Sequence, residues 1–318
     1  MPKRIYIDGH AGTTGLRIRE WLCDRPDLEI LTLPETERKS PEARKSSIAD
    51  ADLAILCLPD AAAQEAAAWA AASKTRVLDA STAHRVDDDW IYGLPELCPD
   101  QRKHIASADQ VSNPGCWPSL FLLLTRPLID AGALPPSAHL ALHGVSGYTG
   151  GGREMIERWE AAETGLSTIP FAAPYALERI HKHIPEMTLY SGLESEPQFI
   201  PAVGPFRCGM RVQVPLPQGT LASGTTAEEL HEILAERYAS ENFIRVHPPE
   251  APAAGEEKAL DPQGCNDTNR MELWCKSHPG GHALLVGILD NLGKGAAGAA
   301  IQNLNLMLGL PEDQGLPR

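Results

Sequence analysis

The sequence predicts an α/β fold in two parts: a parallel, doubly wound sheet first, then an α+β domain of different texture. Three observations lead there. Short β-type runs alternate with helical segments from residue 4 to about residue 110. A glycine-rich turn follows directly on the first of these runs, and beyond residue 130 the alternation gives way to longer strand-like runs. At 318 residues the chain is long enough for two domains, each with a substantial core.

Arg4–Asp8 is a short β-type run that leads into Gly9-His10-Ala11-Gly12-Thr13-Thr14-Gly15. Leu16–Cys23 then carries apolar residues at helical spacing (Leu16, Ile18, Leu22) until Asp24-Arg25-Pro26 stops it. Strand, glycine turn and helix in that order form the first half of a dinucleotide-binding βαβ unit. The glycine spacing here is G-x-x-G-x-x-G rather than G-x-G-x-x-G. Leu28–Leu33 reads as the second strand. An NAD-specific fold usually ends that strand on an acidic residue that holds the ribose 2′-hydroxyl. Here Pro34–Ser40 follows, and Arg38 and Lys39 suit a 2′-phosphate, which favours NADP; the alternative is a solvated loop of mixed charge. Residues 41–49 read as a helix, Asp52–Leu58 as a buried third strand, Asp60–Ala72 as an alanine-rich helix and Arg76–Ala80 as a fourth strand. Ser81-Thr82-Ala83-His84-Arg85 follows at that strand's carboxyl end, where open α/β sheets bind ligands.

Ser112-Asn113-Pro114-Gly115-Cys116-Trp117-Pro118-Ser119 comes next and opens the apolar run Leu120–Leu124. Pro114-Gly115 reads as a tight turn, and Pro118 fits the first turn of a helix, where the N–H it lacks has no partner. Cys116 therefore falls at the N-terminal mouth of a helix that should finish near Asp130-Ala131-Gly132. Unpaired N–H groups and the positive end of the macrodipole favour a thiolate there. Position alone leaves a second reading open, that of a small buried hydrophobe.

Ala138–Gly144 and Gly209–Leu216 read as long strands of a different sheet. Between them lie the glycine-rich Gly144–Arg153 and the cluster His181-Lys182-His183. A helix at Thr226–Ser240 and strands near Asn242–Val246 and Ala283–Asp290 complete this part, and His247–Gly264 reads as an exposed loop rich in Pro, Ala and Glu. The tail Gly293–Leu310 is a small-residue helix able to pack close to another backbone. Cys275, His278 and His282 are spaced in a way that hints at a metal, but Pro279-Gly280-Gly281 keeps one helical face from presenting both histidines, so no metal is expected.

Composition narrows the function. Hydrophobic residues make up 43% and charged residues 22%, the balance of an ordinary globular protein. A formal net charge of −14 argues against a nucleic-acid binder. Seven cysteines, at 23, 57, 98, 116, 208, 265 and 275, are scattered and odd in number, which points to a reducing compartment. The apolar stretch at the N-terminus is too short for a signal peptide and no run approaches a membrane span. A soluble, cytoplasmic chain is expected, with no membrane partner.

Gly9–Gly15, Asp79–Arg85, Asn113-Pro114-Gly115-Cys116, Val145-Ser146-Gly147-Tyr148, His181-Lys182-His183-Ile184-Pro185-Glu186 and Asn291–Asn303 together resemble N-acetyl-γ-glutamyl-phosphate reductase, the shorter of its two sequence types, in the semialdehyde dehydrogenase superfamily. The resemblance implies a Rossmann-like NADP-binding domain (1–115 with 291–318, the C-terminal helix returning to it) and a catalytic and oligomerisation domain (116–290). It implies reduction of an acyl phosphate by NADPH to an aldehyde, with release of phosphate. A cysteine thiolate forms a thioester and splits one hard displacement into two easier steps. A histidine, suited to work near neutral pH, manages the proton on the hemiacetal oxygen. On this basis Cys116 is the nucleophile, His181 the acid–base residue and His183 a substrate ligand, the order of the two histidines being open. Ser146 and Gly147 are expected at the substrate or in a plain turn. Arg153 is expected to pair with substrate or to sit as a solvated helix-start arginine. Arg207 stands where the longer type has arginine directly before glycine, but Cys208 intervenes. Cofactor contacts are expected from Gly9, Gly12, Thr13, Thr14, Gly15, Leu58, Pro59, Ser81, Asn291 and Gly295, besides Arg38 and Lys39. A small-molecule acyl phosphate is the implied substrate, and the family implies a homodimer or homotetramer. The rival readings are aspartate-semialdehyde dehydrogenase, an aminoadipate-type reductase and a catalytically silent nucleotide-binding module.

Overall fold

The structure, a computed structural model, describes residues 2–250 and 260–318. The expected loop His247–Gly264 therefore lies partly outside the described residues. The chain folds as two compact units, residues 1–114 with 296–316 and residues 115–295 with 317–318.

The first unit alternates strand and helix: β1 (Lys3–Asp8), α1 (Thr13–Leu22), β2 (Leu28–Leu31), α2 (Pro41–Ala49), β3 (Leu53–Leu56), α3 (Asp60–Ser73), β4 (Arg76–Asp79), β5 (Ile91–Tyr92), α4 (Gln101–Ser107) and β6 (Gln110–Ser112). The strands form a six-stranded sheet of order β2-β1-β3-β4-β6-β5, parallel throughout. All four residues of β3 are buried, as expected of an inner strand covered on both faces. The alanine-rich face of α3 (Ala66, Ala67, Ala70) packs with Ile48 of α2 against Tyr6, Ala54, Leu56 and Val77 of the sheet.

Two details differ from expectation. α1 starts at Thr13, earlier than the apolar spacing suggested, so its buried stripe is Gly15, Ile18 and Leu22, while Leu16 is 52% exposed. The i, i+3, i+7 spacing of that stripe turns Leu16 off the inner face. The tail is a π-helical turn (Gly293–Ala297) followed by α9 (Gly298–Met307), of which all but Leu306 is buried.

The second unit opens with α5 (Cys116–Asp130), then β7 (Ala141–Gly147), α6 (Gly152–Glu160), β8 (Ala173–Pro174), α7 (Ile184–Ser191), β9 (Gln198–Gly204), β10 (Met210–Leu216), α8 (Ala227–Tyr238), β11 (Ile244–Val246), β12 (Met271–Ser277) and β13 (Ala283–Leu289). Its sheet is mixed, of order β11-β12-β13-β10-β7-β9-β8, parallel only at β11–β12 and β7–β9. α5 is apolar all round and packs against β10, β13, α7 and α8.

Pro127 lies inside α5 and takes away the N–H that would bond the Leu123 carbonyl. The buried Tyr238 hydroxyl on α8 donates to that carbonyl at 2.8 Å. Tyr238→Phe is expected to cost about 1–3 kcal/mol of stability, because it strips a buried carbonyl of this donor. Urea titration checks this; an unchanged midpoint would show that the Leu123 carbonyl does not depend on the phenol.

Among the described residues no helix is long and apolar enough to cross a membrane.

Candidate active site

In the first unit the chain reverses between β1 and β3, the two strands on either side of which the crossovers run in opposite directions. Open α/β sheets bind ligands in that crevice, beyond the carboxyl ends of the strands. A cavity of about 420 Å³ occupies it, lined among others by Gly9, Gly12, Arg38, Lys39, Leu58 and Pro59. Gly9 has φ +82°, and a Cβ there would stand 2.2 Å from the Cys57 carbonyl oxygen, so only glycine brings the turn this close to β3. Thr13, Thr14 and Gly15 form the first turn of α1, whose free N–H groups suit an anion. This cradle fits a dinucleotide. Arg38 lies beside the cavity with its guanidinium 2.6 Å from Glu35, and Lys39 lines the same space. Asp8, at the end of β1, is gripped by Arg44 through Nε and Nη2, each 3.0 Å from Oδ2.

Ser81 is tied down: its hydroxyl donates to Asp79 Oδ2 at 2.6 Å and its N–H to Oδ1 at 2.9 Å. His84 Nδ1 meets the same carboxylate at 2.7 Å and stacks on Trp90. Asn113 is held by its N–H to the Asp79 carbonyl and by its Nδ2 to the Ala296 carbonyl, and its Oδ1 accepts from Asn303.

In the second unit Cys116 is the first residue of α5, after Gly115 at the cap, and is buried. The Gly115 N–H donates to Glu186 Oε2 at 2.9 Å, so a buried carboxylate from the first turn of α7 anchors the mouth of α5. Gly295 packs closely on Cys116: a Cβ there would lie 2.7 Å from Cys116 Cβ. Burial pushes the Cys57, Cys265 and Cys275 thiols up to about 12, so none of the three supplies a thiolate near neutral pH.

An aromatic cluster joins the cysteine's surroundings to the histidine pair. The Tyr175 phenol lies beside Trp117, and its pKa is raised by burial and further by the charge that Cys116 carries when ionised. Trp117 packs edge-on to Phe199 (5.1 Å between centroids), and Phe199 edge-on to His181 (4.9 Å). Tyr175 also flanks His181 at 5.8 Å. Burial, and then Lys182, lower the His181 pKa to about 4, so the ring is neutral at pH 7. Its Nδ1 accepts the His183 N–H at 3.1 Å. A neutral ring whose Nδ1 accepts must carry its proton on Nε2. His183 itself is buried at the cap of α7.

Ser146 and Gly147 end β7. Asn291 secures the turn beyond them, with Oδ1 accepting from Gly209 N–H (2.8 Å) and Nδ2 donating to Thr149 Oγ1 (2.9 Å). Arg153 sits on the exposed side of α6, paired with Glu157 at 2.7 Å, and the exposed Arg207 is paired with Glu160. Cys275 is buried and bonds to the Ala227 carbonyl, whereas His278 and His282 face each other across the exposed turn between β12 and β13. Among the described residues no three His, Cys, Asp or Glu side chains are grouped to hold a metal.

Tyr175, Phe199 and Glu186 join these surroundings without a role expected from sequence. The glutamate had a signal, since it closes the His181–Glu186 motif; the two aromatics lie in segments without a readable pattern.

Residues 4–106 match the family described as semialdehyde dehydrogenase, NAD binding domain, and residues 116–291 match semialdehyde dehydrogenase, dimerisation domain. Solved structures of similar fold include aspartate semialdehyde dehydrogenase II of Vibrio cholerae (16% identical, TM-score 0.70, 97% of this chain and 99% of that one). Another is aspartate semialdehyde dehydrogenase of Candida albicans with NADP (15% identical, TM-score 0.68, the same coverage). Fold and site thus define an enzyme of the semialdehyde dehydrogenase class. Curated relatives are much closer in sequence: N-acetyl-gamma-glutamyl-phosphate reductase 2 of Nostoc sp. is 46% identical over 98% of this chain and 99% of its own. N-acetyl-gamma-glutamyl-phosphate reductase of Burkholderia cenocepacia is 44% identical over 96% and 97%. The chain belongs to the N-acetyl-gamma-glutamyl-phosphate reductase family.

Proposed function

We propose that this enzyme reduces N-acetyl-L-glutamyl 5-phosphate to N-acetyl-L-glutamate 5-semialdehyde and phosphate with NADPH, in arginine biosynthesis in the cytoplasm. The observation that carries the reading is Cys116 at the mouth of α5, linked through Trp117, Tyr175 and Phe199 to His181. The nucleotide belongs to the first unit (Gly9, Gly12, Thr13, Thr14, Gly15, Arg38, Lys39, Leu58, Pro59, Ser81); the second unit carries the acyl chemistry and assembles as a homodimer or homotetramer.

Cys116 Sγ, favoured as thiolate by the helix N-terminus, attacks the acyl carbon. The bond from that carbon to the phosphate oxygen breaks, its electron pair leaves with phosphate, and phosphate takes a proton from solvent. A thioester on Cys116 remains. When bound, NADPH supplies the hydride that this carbon needs. The oxygen on the tetrahedral carbon is then an oxyanion, and the His181 Nε2–H donates to it without being consumed. Collapse re-forms the carbonyl, breaks the C–S bond and returns the electron pair to Sγ. Ser146, Gly147 and His183 shape the substrate side. Arg153 and Arg207 supply cations to its carboxylate or phosphate by exchanging Glu157 and Glu160 for substrate.

The test is the reverse reaction with N-acetylglutamate semialdehyde, phosphate and NADP⁺, beside aspartate semialdehyde. Preference for the acetylated aldehyde supports the reading; preference for aspartate semialdehyde sinks it. Removing the cations at the nucleotide cavity gives a second check. Arg38→Ala with Lys39→Ala is expected to raise KM for NADP⁺ by roughly 10–100-fold, the worth of charge-assisted bonds to a phosphate, with little change for NAD⁺. Equal effects on both nucleotides would show that the pair does not read a 2′-phosphate.

A further inference from the structure

Six large hydrophobic side chains are strongly exposed among the described residues, and four of them fall in one short stretch of the second unit. Phe171 is 60%, Leu177 70% and Ile180 77% exposed, and Leu189 on the outer side of α7 is 51% exposed. Solvent-facing apolar residues scattered singly need no explanation, but such crowding marks a surface that something covers. The stretch is anchored from within. Ile169, Ala173 and Tyr175 pack inward on Tyr148, Trp159 and Val203, and β8 is the edge strand of the mixed sheet.

The same stretch is strained. Ala176 (φ +49°) and Arg179 (φ +66°) lie in the left-handed region that side-chain-bearing residues avoid, and such conformations persist only where surroundings over-determine them. Within its own unit the loop has an Arg179 N–H bond to the Ala176 carbonyl, while Leu177 and Ile180 point to solvent. Its two ends are Tyr175 and His181, both members of the aromatic cluster. Residues 116–291 match a dimerisation domain, so a second copy of this chain is the occupant at hand. A two-fold interface must be self-complementary. The exposed Glu178 beside the exposed Arg179 and Lys182, around an apolar centre, meets that requirement.

We propose that Phe171–Lys182 forms part of the contact between two copies of this chain, and that the partner subunit, seated on Leu177 and Ile180, holds the loop that positions His181. The second clause rests on the role given to His181 above; the first does not.

The experiment uses the full-length double variant Leu177→Glu, Ile180→Glu, with Val86→Glu, an exposed apolar position in the first unit, as control. Sedimentation velocity across a protein dilution series reads association, and turnover is measured at the same concentrations; circular dichroism shows whether the variant is folded. The expected result is association at least tenfold weaker for the double variant, with specific activity that falls and then climbs with protein concentration in step with the associated fraction. Val86→Glu should associate as the wild type does. A folded double variant that associates like wild type overturns the interface. Dissociation with unchanged specific activity, or activity lost and not restored by concentration, overturns the positioning of His181 by the partner. An inactive wild type that still dissociates on mutation would fail the proposed reaction and leave the interface standing. Should the double variant fail to fold, Leu177→Ser and Ile180→Ser carry the same tests.

Discussion

Cys116→Ser is expected to lower turnover by roughly 10³-fold or more in both directions while leaving the fold and nucleotide binding unchanged. Serine is the smallest change available, and size matters because Gly295 packs directly on the cysteine's Cβ. The loss is chemical. A hydroxyl stays protonated where the helix mouth suffices to ionise a thiol, and a serine alkoxide leaves the tetrahedral carbon less readily than a thiolate does. The competing cysteines do not offer a detour, since burial holds Cys57, Cys265 and Cys275 up at about 12. Rates measured with N-acetylglutamate semialdehyde, phosphate and NADP⁺, with nucleotide binding followed separately, decide the matter. A serine variant with more than a tenth of wild-type turnover would remove Cys116 from the chemistry.

The helix start at Cys116 was legible because its signal is local. Pro114, Gly115 and Pro118 bracket one helix start, and α5 runs from Cys116 to Asp130 as the spacing predicts. The alternation that predicts a parallel sheet is equally local, and the four strands Lys3–Asp8, Leu28–Leu31, Leu53–Leu56 and Arg76–Asp79 lie where it places them. What was not legible depends on contacts across long stretches of chain. β9 carries Pro201 in its middle, a residue that argues against an inner strand, yet it lies between β7 and β8 and delivers Phe199 to His181. β8 is two residues long and leaves no periodicity, although it leads directly into Tyr175. Leu16 shows the opposite failure, an apolar residue that faces solvent because the buried stripe of its helix runs through Gly15, Ile18 and Leu22. Arg153 and Arg207 looked available as cations in sequence; only the structure shows that each is paired with a glutamate, Glu157 and Glu160.

His181→Ala is expected to lower kcat by roughly 10²–10³-fold, the usual cost of one oxyanion donor, whereas His181→Gln should stay within about tenfold of wild type. The contrast follows from a single hydrogen bond. With Nδ1 accepting from the His183 N–H, the neutral ring bears its proton on Nε2, the position that a glutamine amide N–H reproduces. Glutamine cannot carry a proton back and forth near neutral pH, so a shuttle would lose as much in the glutamine variant as in the alanine one. The pH dependence separates the same two roles. A shuttling histidine with its ordinary pKa would shape kcat near pH 6.5; the ring here, lowered to about 4 by burial and then by Lys182, should leave kcat flat through that region and show an acid limb only close to pH 4. Stability moves in the matching direction. Unfolding returns the ring to its ordinary pKa of 6.5, so between pH 6.5 and about 4 the unfolded chain binds a proton that the folded chain refuses. Wild-type stability therefore drops as pH falls through that window and is unaffected by this group above it, so the wild type-minus-His181→Gln stability difference should be constant near neutral pH and shrink as pH falls below about 6.5. If alanine and glutamine variants lose activity equally, or if kcat titrates near 6.5 in the wild type, His181 is a proton carrier and its Nδ1 bond to the backbone must break during turnover.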